Sequence, residues 1–460
     1  MYDLKIRNAT IPFGKGNETK IVDILVNKGK TVGIGSFAEI DAASTLDLNK
    51  KLLIPGAIDA HVHFCDPGMT HREDFLCGTK GAAVGGLTTV LEHPLGTVPD
   101  TRSAGELIIK YEAVKDSAVI DYGLWGGITG LDMEDHKFQR AIAEMAQLGV
   151  VAFKVFMVAS IPTFTRVSSG DMRLIMEEVA KTGIPLGVHA EDYNIVETMS
   201  NRLMEEKRFD PLAWIEGRTY EAEPIAIFTC LKISEATHCP LHIVHLSTAE
   251  GARLIQEGKS AGIDVTAETC PQYLTLTQDA IKKWGSIAKV APPLRHQRDI
   301  DVLWNSLQDG TLDLMGTDHA PYEAETEKNQ WQENIWLDCP GFPGTELMLP
   351  VMISEGLNKG KISLQRLVEL VGENPAKRFG LYPRKGVLAP GADADYTVID
   401  LDEEWTIDAK ELQTKAKYSP LHGMKLKGKP VTTIVRGKIV YDSGQGFLVK
   451  PGYGQWIKRE

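Results

Sequence analysis

Between residue 54 and about residue 320 the chain alternates short apolar runs with stretches whose apolar residues recur at helical spacing. Eight runs stand out, at 54–64, 87–95, 119–128, 150–157, 185–191, 240–247, 264–270 and 312–318. They are nearly continuous in apolar character, as expected of parallel strands buried on both faces by crossover helices. Helical patterns lie between them, among others at 136–148, 172–182 and 249–261, and glycine closes several of their ends. Eight such units predict an α/β protein built on a (β/α)8 TIM barrel. The ends of the chain read differently. Residues 1–53 and 386–460 carry short alternating segments, such as 21–26, 396–400 and 432–440, set between Asn, Gly and Asp turn signals. These predict antiparallel β, and because they bracket the barrel region they predict one small β-sandwich assembled from both termini around a barrel domain at 54–385.

Composition narrows the partners. Fifty basic against 62 acidic residues give a net charge of −12, with no basic stripe to attract a phosphate backbone, so nucleic acid is excluded as a partner. With no run of about 18 apolar residues and no charged-then-apolar leader, the expectation is a cytoplasmic protein with no membrane partner. The six cysteines include no CxxC pair, so reduced thiols are expected; Cys65 reads as a small hydrophobe beside a motif rather than as a nucleophile.

The motif is Ile58-Asp59-Ala60-His61-Val62-His63. Strand period places both imidazoles on one face, where they can share a metal. Barrel active sites are drawn from the C-terminal ends of several strands. Further candidate ligands fall there: His189 ends the fifth run, His245 the sixth and Asp318 the eighth. Imidazole and carboxylate suit zinc or another first-row divalent ion. Lys154 lies inside the apolar fourth run, where a bare ammonium is costly and needs a partner or a modification. His242, three residues before His245, should face the opposite side as a packed histidine. His93 and His319 also stand at strand ends, open to a structural, supporting or substrate-contacting role. His71, His136, His238, His296 and His422 take no role.

Together His61-Val62-His63, Phe153-Lys154, His189 after Gly187-Val188, His245-Leu246-Ser247 and Gly316-Thr317-Asp318-His319 resemble the amidohydrolase superfamily. Gly85-Gly86-Leu87-Thr88-Thr89, Glu268-Thr269-Cys270-Pro271-Gln272-Tyr273-Leu274, Asn374-Pro375-Ala376-Lys377 and Gly391-Ala392-Asp393-Ala394-Asp395 are similar to its cyclic amidohydrolase branch, in order and spacing over nearly the whole chain. The resemblance implies two divalent metal ions per chain, zinc by default with manganese or cobalt equally acceptable. Lys154, carboxylated on its amine, would bridge them; His61, His63 and Asp318 would hold the more buried ion, and His189 and His245 the other. It further implies Asp318 as catalytic base and then acid.

Within the branch, dihydroorotases carry an arginine where this chain has Cys65, and dihydropyrimidinases a tyrosine where it has Ala159. Residues 156–160, the loop after Gly68 and 418–424 are most similar to L-selective hydantoinases and allantoinases. The implied substrate is a small cyclic ureide or amide, its ring recognised around 289–291 and 339–341, with Ser160, Lys289 and Gly341 as candidate contacts. Loops 66–75, 93–97 and 160–164 would form the pocket for the 5-substituent. Dihydropyrimidinase, dihydroorotase and a non-catalytic scaffold are the alternatives. The family resemblance also implies a homotetramer or dimer.

Overall fold

The computed structural model describes residues 1–134 and 137–459. Each apolar run carries a strand: Ala57–Val62, Leu87–Glu92, Asp121–Leu124 with Gly126–Gly127, Phe153–Phe156, Leu186–His189, Leu241–Ile243, Val265–Thr269 and Leu314–Met315. All their pairings are parallel. They form a three-stranded and a six-stranded sheet in chain order. The third run serves both, because it breaks at Trp125. The Trp125 N–H donates to Glu92 O at 3.0 Å and the Gly126 N–H to Ala152 O at 3.0 Å. At the opposite margin the His63 N–H donates to His319 O at 2.8 Å, and Val62 and His319 form a parallel bridge between the first and eighth runs.

The run at 54–64 is two strands, not one. Leu52–Pro55 pairs antiparallel with Tyr396–Thr406, while Ala57–Val62 enters the parallel sheet. Gly56 is the pivot: its N–H donates to Asp395 O at 2.8 Å, and a Cβ there would lie 2.2 Å from Thr88 Oγ1, so only glycine fits.

Strands from both termini share one nine-stranded sheet. From the N-terminal side come Tyr2–Pro12, Thr19–Asn27, Lys30–Gly35, Ala42–Asp47 and Leu52–Pro55; from the C-terminal side come Tyr396–Thr406, Lys425–Val435, Lys438–Asp442 and Gly446–Phe447. It is mixed rather than purely antiparallel. Tyr2–Pro12 pairs in parallel with Ala42–Asp47, because the chain recrosses to the far side of its first strand after the opening hairpins.

The crossover helices form where predicted. Thr248 accepts from the Gly251 N–H to cap Ala249–Ser260, and Ser168 with Asp171 forms a capping box on Ser169–Ala180. Such caps contribute about 1 kcal/mol each. Phe138–Leu148 ends on Gly149 at φ 90°, and His136, with which that predicted helix begins, lies outside the described residues. Among the described residues no helix is long and apolar enough to cross a membrane.

One buried carboxylate fixes the strand ends that matter. Asp59 accepts from Thr317 Oγ1 at 2.6 Å, the Thr317 N–H at 3.0 Å, the His61 N–H at 3.1 Å and Thr345 Oγ1 at 2.9 Å. It thereby ties the first strand to the eighth, and burial pushes its carboxyl up to about 6.

Candidate metal centre

His61, His63, Lys154, His189, His245 and Asp318 come from five strand ends and line one cavity of about 660 Å³. Asp318 Oδ1 lies 3.2 Å from His61 Nε2 and 3.3 Å from His63 Nε2. Ligands bonded to zinc at 2.0–2.2 Å in a tetrahedron stand roughly 3.3–3.6 Å apart, so Asp318 is spaced from each histidine nearly as two ligands of one ion are. His189 and His245 meet edge to face with centroids 4.5 Å apart, making a second imidazole pair across the cavity floor. Backbone strain collects here: His245 at φ 40°, Asp318 at φ 53° and Cys65 at φ 52° all occupy the left-handed region.

Polar atoms are orphaned at the centre. Among the described residues, the buried Lys154 Nζ, His61 Nε2 and His245 Nδ1 have no hydrogen-bond partner. Lys154 is fully buried, and burial lowers its ammonium to about 8. Burial also lowers His61 to about 4, despite the opposing pull of Glu268 and Asp318. Burial works to raise Asp318, but His61 and His63 outweigh it and hold the carboxyl below its usual range. Imidazoles beside a carboxylate are a suitable donor set for a divalent ion, and the orphaned atoms belong to residues of that set.

Two further buried carboxylates orient the histidines. Glu268 Oε1 accepts from His61 Nδ1 at 2.5 Å and from the His245 N–H at 3.2 Å, while its Oε2 lies 3.2 Å from His242 Nε2. His242, expected to be a packed histidine, does pack against Phe379 and Trp125, and also takes part in this chain, with Nδ1 2.8 Å from Thr266 Oγ1. Glu191 Oε2 accepts from His189 Nε2 at 2.7 Å and is paired with Arg218. Burial would raise Glu191, but Arg218 and His189 prevail and hold it at about 2.

His93 brings a ring nitrogen within 4.8 Å of those of His61 and His63. Its ring is stacked on His61 at 3.7 Å and 7°. Nitrogen lone pairs lie in the ring plane, so two parallel stacked rings cannot point at one ion, and His93 serves as packing beneath the site together with Trp125. His319 Nδ1 accepts from the Gly344 N–H at 3.1 Å, which fixes the loop behind Asp318. The other clustered acids, Asp121, Asp393 and Asp395, are already filled. Lys385 Nζ sits among them at 2.6, 3.0 and 2.5 Å.

Of the candidate substrate contacts, Ser160 and Lys289 line the cavity. Lys289 Nζ donates to the carbonyls of Ile335, at 2.8 Å, and Asp338, so its charge is committed to the wall. Gly341 lies outside the lining: its N–H donates to Lys289 O at 2.8 Å, and at φ 134° its backbone passes so close to Ala320 that a Cβ would stand 2.8 Å from the Ala320 Cβ. Loops 66–75, 93–97 and 160–164 all contribute, through Met69 and Arg72, Leu95 and Gly96, and Ser160 to Thr163. Sequence reasoning missed Trp214, Arg218, Tyr322 and Trp336, which complete the wall. For Trp214 and Arg218 the signal was the unusual length of the segment between His189 and the sixth strand, which holds Pro211–Gly217 besides its two longer helices; Tyr322 and Trp336 follow the eighth strand and carried no such signal.

Known proteins are similar to this chain along its whole length. The chain is 35% identical over 462 residues to an L-hydantoinase of Paenarthrobacter aurescens, covering 100% of this chain and 98% of the relative. It is 34% identical to an allantoinase of Rubrobacter xylanophilus, covering 99% and 98%. Among solved structures, L-hydantoinase (dihydropyrimidinase) from Arthrobacter aurescens superposes with a TM-score of 0.94 at 35% identity, covering 100% of both chains. Dihydropyrimidinase from Brevibacillus agri does so with 0.92 at 30%, covering 100% and 99%. Residues 52–440 match the amidohydrolase family, and the chain belongs to that family.

Proposed function

We propose that this chain hydrolyses the ring amide of a hydantoin-type cyclic ureide, as a hydantoinase or an allantoinase, giving an N-carbamoyl amino acid or allantoate. The observation that carries the reading is Lys154: a buried lysine with no hydrogen bond or ion pair among the described residues, lining one cavity together with four histidines and an aspartate. An isolated ammonium there is unstable. Attack of the neutral amine on carbon dioxide, with loss of one proton, converts it to a carbamate, an anion that suits a position between two cations. His61, His63 and Asp318 would hold one divalent ion and His189 and His245 the second, with zinc, manganese or cobalt all acceptable to this donor set. Such a pair, when bound, lowers the pKa of water towards neutrality and polarises a carbonyl.

The residues of the chain do the rest. Asp318, held ionised by its histidine neighbours, takes the proton of the attacking water and returns it to the ring nitrogen as the C–N bond breaks. The two parallel sheets read as one (β/α)8 barrel, closed at Trp125 and at the Val62–His319 bridge, with the terminal sheet as its β-sandwich companion. We take the domains as 1–53 with 386–460, and 54–385, the strand Leu52–Pro55 carrying the terminal sheet across the first boundary as far as Gly56. A homotetramer or dimer in the cytoplasm is the matching expectation. Cys65 in the wall, where dihydroorotases place arginine, and the open position at Ala159 favour this branch over its neighbours.

A turnover panel tests the reading. Allantoin, both hands of a 5-substituted hydantoin, dihydrouracil and dihydroorotate are offered to protein with its metal content measured. Preference for allantoin or a hydantoin with about two ions per chain supports it; preference for dihydroorotate, or a folded metal-free protein inert to all, overturns it.

A further inference from the structure

A ring held at the strand ends leaves its 5-substituent to the cavity walls, and this inference rests on the hydantoin-type reading above. The cavity of about 660 Å³ is of a size that encloses a drug-sized ligand, so it has room for a substituent well beyond the ring. Met69, Leu95, Ile161 and Pro162 give much of that wall an apolar surface. Arg72 breaks it. Its Nε donates to Glu327 Oε2 at 3.1 Å, its Nη2 to Glu327 Oε1, and its Nη1 only to the weak acceptor Met69 Sδ at 3.3 Å. Of the five N–H bonds of a guanidinium, one on Nη1 and one on Nη2 therefore have no partner among the described residues. The wall's other cations are more committed. Lys289 gives its Nζ to two carbonyls, and Arg218, paired with Glu191, keeps 8% of its side chain exposed against 18% for Arg72.

Glu327 sets the character of this donor. Its carboxylate is held by the Glu323 N–H at 2.9 Å and grips the guanidinium with both oxygens, so the pair as a whole carries no net charge. The guanidinium also lies over the Tyr322 ring, 4.7 Å from its centroid, and the Tyr322 hydroxyl has no hydrogen bond among the described residues. We propose that Arg72 is a specificity-determining residue that selects a 5-substituent with an uncharged carbonyl, a carboxamide or ureido group, over an alkyl group of the same shape. The free guanidinium N–H bonds donate to the carbonyl oxygen, and the Tyr322 oxygen accepts from the amide nitrogen. An alkyl group would displace water from these groups without replacing its hydrogen bonds. A carboxylate gains little from a guanidinium already neutralised, and it stands beside the charge of Glu327.

The test compares kcat/KM of the metal-loaded full chain on three hydantoins of nearly one shape, whose 5-substituents are carbamoylmethyl, carboxymethyl and isobutyl. Wild type prefers the carbamoylmethyl compound to the isobutyl compound by about 10- to 100-fold, the worth of a hydrogen bond to a charged donor, and also prefers it to the carboxymethyl compound. Arg72→Met abolishes the preference over isobutyl. Glu327→Gln, which leaves the guanidinium charge uncompensated, raises the carboxymethyl rate relative to the carbamoylmethyl rate by about 10-fold or more. A wild type that favours the isobutyl or the carboxymethyl compound overturns the inference. So does an Arg72→Met variant whose rates on all three fall alike, since a merely structural role would move them together. Should one variant not fold, the other carries the test with the wild-type ratios. Failure of wild type to open any of the three rings, or that of allantoin, instead overturns the reading beneath.

Discussion

Two buried lysines in this molecule have opposite surroundings. Lys385 holds three carboxylates, Asp121, Asp393 and Asp395, within 2.5–3.0 Å, and Asp121 is paired in addition with Arg436. Lys154, no less buried, has no hydrogen bond or ion pair among the described residues; the Phe156 ring stands 4.8 Å from its ammonium. The first cluster ties the third parallel strand to the terminal sheet with its own charges and is complete without any ligand. The second is arranged around something the chain does not supply. Charge that is satisfied locally belongs to the architecture, and charge left unsatisfied at the ends of five strands belongs to chemistry.

The strongest way to break this contrast is at Asp318. In Asp318→Asn the shape is retained and the proton acceptor is lost, so turnover of the preferred substrate should fall by about 100- to 10,000-fold with metal still bound. Steady-state rates and metal analysis on one preparation check this, and near-normal turnover would move the catalytic role elsewhere. Next comes Lys385→Met, which leaves three buried carboxylates facing one another. Loss of one partner from a buried ionic cluster costs about 3–5 kcal/mol, read as a lower midpoint in urea, while turnover per folded molecule is unchanged. The same change at the other lysine should have the opposite sign. Lys154→Met removes a buried charge that Asp318 and Glu268 attract without outweighing its burial, so the metal-stripped variant should be about 1–3 kcal/mol more stable than metal-stripped wild type, although it no longer retains two ions. Destabilisation of the stripped variant would mean that Lys154 has a partner within the fold.

How far this contrast could be read in the sequence depends on distance along the chain. His61 and His63 were legible because strand period alone puts them on one face, and His189, His245 and Asp318 because they end apolar runs. Lys154 stood out as a charge in a buried strand. The groups that complete the site were silent, because what defines them is long-range pairing. Asp59 meets Thr317 across 258 residues and Glu268 meets His61 across 207, and no local pattern records either bond. Gly56 and Trp125 each break a run that reads as continuous, since apolar character persists while the hydrogen-bonding partner changes from one sheet to another. Lys385 looks like any lysine near a turn until the three aspartates converge on it.

Glu346 lies between the two extremes and gives the smallest and most specific prediction. Its carboxylate accepts one strong bond, from the Gln413 N–H at 2.7 Å, and forms no ion pair among the described residues. Burial raises it from 4.5 to about 7. A carboxyl whose folded pKa lies above its unfolded value imposes no penalty below pH 4.5, a growing one between 4.5 and 7, and the full penalty above 7. Glu346→Gln keeps an acceptor for the Gln413 amide and cannot ionise. The variant should therefore match wild type near pH 4, provided both remain folded, and exceed it by about 1 kcal/mol at pH 8, a figure reduced to allow for the partial exposure of the group. Urea midpoints at the two pH values measure the difference directly. A gain that is equal at both would show that the carboxylate is not held protonated by burial, and would place Glu346 with the satisfied cluster around Lys385 rather than between the two.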